Sequence, residues 1–334
     1  MATTVISAFS EFLSQIVNLD PDVSKQARGS RDWLVEQICS LPDKNDEFPS
    51  IYSEKNISYG SFARRTKIRE LDDLDLIICL KALGTTYWEY GGTVYLDVPD
   101  GILLRDLCHD GGNRLNSRKV INRFVSALKD ISQYEKSELG RNGSAAVLNL
   151  KSYTWSFDIV PGFFTTPEAD GRTFYIIPDG NGHWMKTDPR IDKEKVTSVN
   201  QKHKGNVLDV IRTIKYWNRR ATMPSMRSYL IECIVLNYYT SKSTTASDFV
   251  DIELVDVFKH IESTVLGSVY DPKNIQGDIN NLSLSDKILI SYRATTDAAK
   301  ANEARDAERK ENHKESIRLW GQIFGSQFPK YSES

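Results

Sequence analysis

At the start of the chain Val5, Phe9, Phe12, Leu13, Ile16 and Val17 recur at helical spacing, which predicts an amphipathic helix that is part of the fold. Asp20 and Pro21 supply an N-cap and a first-turn residue for a second helix, with Trp33, Leu34, Ile38 and Leu41 on its apolar side. Both helices are expected to pack across the rest of the protein. From about residue 50 to 185 the pattern changes to short runs of β formers at 74–80, 145–150, 153–160 and 174–177, with an inserted helix at 117–128. Asp179-Gly180-Asn181-Gly182 separates two such runs as a hairpin turn would. After Asp188-Pro189 the strands stop, and residues 206–219, 225–239, 250–266, 284–300 and onward to 324 are predicted as helices. Ala298, Ala301 and Ala304 are spaced for close helix packing, and the polar tail after Pro329 is expected to be mobile.

Composition bounds the function. The 334 residues include 43 basic and 45 acidic ones, a net charge of −2, which argues against a protein held on nucleic acid or anionic lipid by bulk charge. No apolar run approaches the roughly 18 residues of a membrane helix. The length exceeds what a single core usually fills, so two lobes are expected, 1–190 and 191–334. Cys39, Cys79, Cys108 and Cys233 fit neither a disulfide framework nor a zinc site and suggest a reducing cytoplasm. The five histidines show no HExxH or Cys/His spacing, and no P-loop motif occurs.

The chemistry concentrates in residues 59–76. On a strand, Asp73 and Asp75 project from one face while Asp72 points elsewhere or lies in the preceding turn. Converging carboxylates repel unless a cation neutralises them, and hard oxygen donors suit Mg²⁺ or Mn²⁺. Gly60-Ser61 can end a strand and open a helix whose free N–H groups and hydroxyl would hold a triphosphate oxygen. Asp158, in the apolar strand sequence Trp155-Ser156-Phe157-Asp158-Ile159-Val160, would be costly if buried without a partner, and a metal shared with Asp73 and Asp75 supplies one. An Asp-rich turn is also a common solvated cap, and Arg64, Arg65, Lys67 and Arg69 are most simply a solvated basic loop.

Gly60-Ser61, then Asp73-x-Asp75, then Asp158 resembles the catalytic set of the DNA polymerase β-like nucleotidyltransferases. Thr66, Pro161, Tyr175-Ile-Ile-Pro178 with Trp184, Asp188-Pro189, Lys215-Tyr-Trp217, Ser228 to Glu232, Asp271-Pro272 with Asp278, and Trp320 to Gly325 make the chain similar to the bacterial cGAS/DncV-like nucleotidyltransferases over residues 60 to 325. The resemblance implies an α+β fold, a polymerase β-like core of mixed twisted sheet and flanking helices plus an α-helical lobe of the oligoadenylate-synthase C-terminal type. It implies a synthase of cyclic di- or trinucleotides from NTPs, ATP and GTP included, in CBASS antiphage signalling. Two Mg²⁺ ions would sit on Asp73, Asp75 and Asp158, and Gly60, Ser61, Lys215 and Ser228 would hold the triphosphate. CBASS regulatory proteins would be partners of an expected monomer, without a membrane or long nucleic acid.

Read without the resemblance, Lys215 is equally a surface lysine lying along an apolar helix face and Ser228 equally a capping residue. Asn274 and Asp278 are candidates for base contacts, although a capping loop accounts for them as well. The competing functions are a template-independent nucleotidyltransferase acting on RNA ends or a protein side chain, and a catalytically dead nucleotide-binding module.

Overall fold

The computed structural model describes residues 2–134 and 137–333. In chain order the first elements are helices α1 (Val5–Phe12), α2 (Pro21–Cys39) and α3 (Leu41–Lys44), strand β1 (Ile57–Tyr59) and a single helical turn α4 (Gly60–Ala63). Strands β2 (Asp73–Cys79), β3 (Thr86–Tyr90) and β4 (Thr93–Asp97) precede α5 (Ser117–Lys129). Then come β5 (Glu138–Asn142), β6 (Ala145–Asn149), β7 (Ser156–Phe164), β8 (Tyr175–Pro178) and β9 (Trp184–Thr187). The helices α6 (Pro189–Lys202), α7 (Val207–Asn218), α8 (Ser228–Ser241), α9 (Val250–Thr264), α10 (Leu284–Arg309) and α11 (His313–Phe324) complete the chain. No helix among the described residues is long and apolar enough to cross a membrane.

The chain divides into two compact units. The sheet unit holds Asp22–Ala63 and Leu71–Pro189; the helical unit holds Met1–Pro21, Arg64–Glu70 and Arg190–Ser334. One boundary between the units lies at Pro189 and Arg190. The first helix and the segment Arg64–Glu70 lie in the helical unit.

Among the described residues of the sheet unit nine strands form one mixed sheet ordered β1-β2-β7-β8-β9-β4-β3, with β6 also on β7 and β5 on β6. The β2 and β7 pair is parallel, whereas β1 runs antiparallel to β2. The expected turn at 179–182 joins β8 to β9: the Asp179 carboxylate accepts from the Asn181 and His183 amides at 2.7 and 3.0 Å. Strand β1 is the one expected to end at Gly60-Ser61, whereas β3, β4 and β5 were not expected. β1 is only three residues long, and β3 and β5 show little burial to mark a pattern.

The helical unit is built on one core that unites α1 with α7 to α11. Phe9 meets Trp320 edge-on, with ring centroids 5.0 Å apart, and Phe12 meets Tyr216 in the same way. The expected first helix therefore exists, finished by one π-turn at Leu13–Val17, and it parts from α2, which packs in the sheet unit. Ala298, Ala301 and Ala304 are buried as their spacing predicts. The polar tail is tied down where mobility was expected: the Ser332 amide donates to the Ala2 carbonyl at 3.0 Å, and Tyr331 forms a bridge with Ala2. Ser334 lies outside the described residues. Helix α6 escaped the sequence reading, since its composition is mostly polar and its apolar positions are few.

Candidate active site

Strand register assembles the carboxylates. Asp75 pairs with Asp158 and Asp73 with Ser156 across the parallel strands, while Tyr59 pairs with Asp75 across the antiparallel ones. Register partners share a face, so Tyr59, Asp75 and Asp158 form a row across three strands, with Asp73 two residues away on the same side. The intervening residues Leu74, Leu76, Phe157 and Ile159 are buried on the opposite face. Farther along the acid-bearing face the side chains are Ile77, Cys79 and Val160, which are buried with Ala145 and Tyr175. One face of the same two strands thus has a polar end and an apolar end. Asp73, Asp75 and Asp158 are all half-buried, which corrects the expectation that Asp158 is a buried strand acid.

β1 ends where the chain turns into α4, as predicted for Gly60-Ser61. Gly60 has φ 71°, and a Cβ there would lie 1.7 Å from the Asp75 Oδ2. Only glycine lets the backbone come so close to a carboxylate. Ser61 follows in the same turn, so Gly60, Ser61, Asp73, Asp75 and Asp158 are brought together in the sheet unit. The side-chain donors of the three acids are all hard oxygens, the set that suits Mg²⁺ or Mn²⁺. Among the described residues no group of three or more His, Cys, Asp or Glu forms a metal site by itself. Mg²⁺ seldom needs such a cage, because it keeps waters and takes one or two carboxylates together with substrate phosphate oxygens.

Lys215 and Ser228 belong to the helical unit. Ser228 is exposed and is the first residue of α8; no side chain caps that helix, so the capping alternative falls away. Lys215 is buried, 4% exposed, which excludes a surface lysine. Its ammonium donates to Glu232 Oε1 at 2.6 Å and to the Thr66 carbonyl at 2.9 Å, so a phosphate would have to compete with both acceptors. Arg64 donates to both oxygens of the same carboxylate, at 2.7 and 3.2 Å. Burial alone would raise the Glu232 carboxyl, but the Arg64 and Lys215 charges outweigh it and hold the group below its ordinary value. Burial pushes the Lys215 ammonium down, with Glu232 opposing.

The network continues to Tyr229, whose ring lies 5.6 Å from the Arg64 guanidinium and 4.3 Å from the Lys273 ammonium. Its hydroxyl bonds Asp192 at 2.6 Å and Asp271 at 2.9 Å. Asp271 also accepts from the amides of Lys273, Ile275 and Gln276, and Asp278 from those of Val269 and Asn280. Asp271 and Asp278 thus hold backbone amides of the loop region around 269–280. The basic run at 64–69 is not the solvated loop expected: Arg64 is salt-bridged, Thr66, Lys67 and Ile68 are buried, and Arg69 donates to the Asn18 and Ser14 carbonyls. A signal for this network was present at Glu232, an acid inside the apolar run Leu230 to Leu236, which demands a buried cation just as a strand acid does.

No protein-family model matches the chain. A probable cyclic nucleotide synthase of Bacillus cereus (strain VD146) is 44% identical to it over 335 residues, covering all of both chains. The chain belongs to the bacterial cGAS/DncV-like nucleotidyltransferases. Members of this family are enzymes, and the fold agrees. Two structures of E. coli MS115-1 CdnC, one with ATP and one in complex with HORMA-deltaN, superpose with TM-scores of 0.69 and 0.70. Each covers 97% of this chain and 98% of the other, at 17% and 16% identity. The Vibrio cholerae DncV cyclic AMP-GMP synthase superposes with a TM-score of 0.57 at 13% identity, covering 84% of this chain and 72% of its own. These likenesses establish the polymerase β-like α+β architecture of the family.

Proposed function

We propose that this nucleotidyltransferase joins NTPs into a cyclic di- or trinucleotide with release of pyrophosphate, as a Mg²⁺-dependent second-messenger synthase of CBASS antiphage defence. The observation that carries the chemistry is the row of Asp75 and Asp158 with Asp73 on the same face and Gly60 closed against Asp75. Bound on these oxygens, Mg²⁺ would supply charge neutralisation for attacking and leaving oxygens in an in-line displacement at the α-phosphorus. The rest falls to the chain. Gly60 leaves no side chain between the turn and the carboxylate, and Ser61 offers a hydroxyl and an amide to the donor phosphates. Asp158 accepts or orients the proton of the acceptor hydroxyl. The linear product then presents its own triphosphate as donor, and ring closure releases the last pyrophosphate.

The family membership and the full-length relative support cyclic nucleotide synthesis. The complex of CdnC with HORMA-deltaN supports a regulatory protein as partner, and the reading puts the enzyme in the cytoplasm with its NTPs. Incubation of purified protein with labelled ATP, GTP, CTP and UTP and Mg²⁺, followed by phosphatase, tests it. A resistant species formed without RNA is expected. Label appearing only on added RNA or on protein would overturn the proposal in favour of a tailing or protein-modifying enzyme.

A further inference from the structure

The segment Arg64–Glu70 belongs to the helical unit, although the residues on either side of it, up to Ala63 and from Leu71, belong to the sheet unit. It is a strap with Ser61 three residues before one end and Asp73 three residues after the other. No regular element spans the strap, so its carbonyls need partners from elsewhere. Helix α7 and its C-cap supply them. The Arg212 guanidinium donates to the Arg65 carbonyl at 2.7 Å, the Lys215 ammonium to the Thr66 carbonyl at 2.9 Å, and the Arg219 guanidinium to the Arg69 carbonyl at 3.0 Å. Positions 212, 215 and 219 are spaced by three and four, so the three cations stand along one helix face. Arg65 adopts φ 63°, a left-handed conformation uncommon for a side chain of this size, and its carbonyl is the one that Arg212 takes. On the other side the Arg69 amide donates to the Val17 carbonyl at 3.0 Å, and Ile68 is 3% exposed in the helical core.

We infer that Arg212 and Arg219, together with Lys215, are positioning residues: by gripping the strap they fix the stretch of chain that joins Ser61 to Asp73. The inference rests on the proposed roles of Ser61, Asp73 and Asp75. Three carbonyls held by three cations on one helix, with an apolar anchor between them, leave the strap little freedom. Chain continuity passes that restraint to the residues at either end. In this chain Lys215 then acts through the Thr66 carbonyl, whether or not a phosphate also reaches it.

The experiment uses the full chain carrying Arg212→Gln, Arg219→Gln or both, with Arg212→Lys as the conservative variant. Three quantities are read: deuterium uptake of peptides covering 57–63, 64–70 and 71–76, kcat and KM for NTPs, and the melting temperature. The double variant is expected to take up deuterium faster in the strap and in both flanks. Its kcat should fall on the order of tenfold, since small misplacement of reacting groups is costly. Its melting temperature should move by no more than about 2–4 °C. Arg212→Lys keeps a donor and should recover most of the activity. Faster uptake confined to 64–70 overturns the inference, as does a kcat that is unchanged or that follows the melting temperature without rescue by lysine. If the double variant does not fold, the single Arg219→Gln, at an exposed side chain, is read by the same criteria. Should the wild-type protein make no cyclic product, the proposed function fails, and uptake in the flanks alone decides the strap.

Discussion

The acid-bearing face of the sheet unit and the ion network of the helical unit both rest on carboxylates, yet they hold them in opposite ways. Asp73, Asp75 and Asp158 are half-buried and set side by side by strand register. Glu232, Asp192 and Asp271 are buried, and Arg64, Lys215 and Lys273 lie against them, charge for charge. In one region hard oxygen donors grouped on one face suit an added divalent cation. Opposite charges placed together in the other satisfy each other at a desolvation cost, and their gain is a fixed geometry. Chemistry is expected from the first arrangement and rigidity from the second, so substitutions should separate activity from stability.

The largest separation is expected for Asp73→Ala with Asp75→Ala. Product formation should fall by a hundredfold or more, on the order of what several kcal/mol of metal-assisted stabilisation implies, with unchanged circular dichroism. An active, folded double variant would break the contrast.

Gly60→Ala comes next. The added Cβ would meet the Asp75 carboxylate at 1.7 Å, at φ 71°, so both activity and folding should suffer, the latter by about 1–3 kcal/mol. Urea unfolding and product yield on the same preparation check it; a variant that matches wild type in both would show that the close approach is not needed.

On the helical side Glu232→Ala leaves Arg64 and Lys215 buried without their shared carboxylate, which should cost about 3–5 kcal/mol in urea unfolding. The same carboxyl makes a pH test. Its folded value lies below the ordinary 4.5, so its stabilisation is complete above that value and is lost as pH falls through the folded one. Stability measured from pH 5 to pH 3 should therefore decline less steeply in Glu232→Gln than in wild type. Parallel declines would remove Glu232 from the account.

The smallest effect is expected for Asp179→Ala, which deletes the turn carboxylate between β8 and β9. It should cost about 1 kcal/mol and leave product yield unchanged. A loss of yield larger than the loss of stability would extend the active region beyond the acid-bearing face.

Much of this was legible in the sequence wherever local pattern and tertiary need coincide. The alternation in Asp73-Leu74-Asp75-Leu76 gives the strand and its face, and Gly60-Ser61 gives the turn, because each depends on residues within a few positions. The pairing of Asp75 with Asp158 is different: it depends on parallel register across 83 residues, which no local pattern encodes. The cost of an unpartnered acid in an apolar strand, not the period, suggested Asp158 as a companion of the other two, and the resemblance matched the three as a set. Arg64 to Arg69 looked like a solvated basic loop because its partners Asn18, Glu232 and helix α7 are remote in sequence. Lys215 looked like an edge lysine for the same reason, since its acceptors stand 17 and 149 positions away. The short strands β3 and β5 were missed because little burial marks their alternation.

The central claim, that the half-buried carboxylates perform the chemistry, is tested most directly by Asp158→Asn. That change replaces one carboxylate oxygen with an amide nitrogen at almost constant volume. Wild type and variant are incubated with NTPs and Mg²⁺, treated with phosphatase and compared for the resistant product and for melting temperature. The account predicts a resistant product from wild type, a loss of about a hundredfold or more in the variant, and melting temperatures that agree. A variant that keeps the wild-type yield would contradict it.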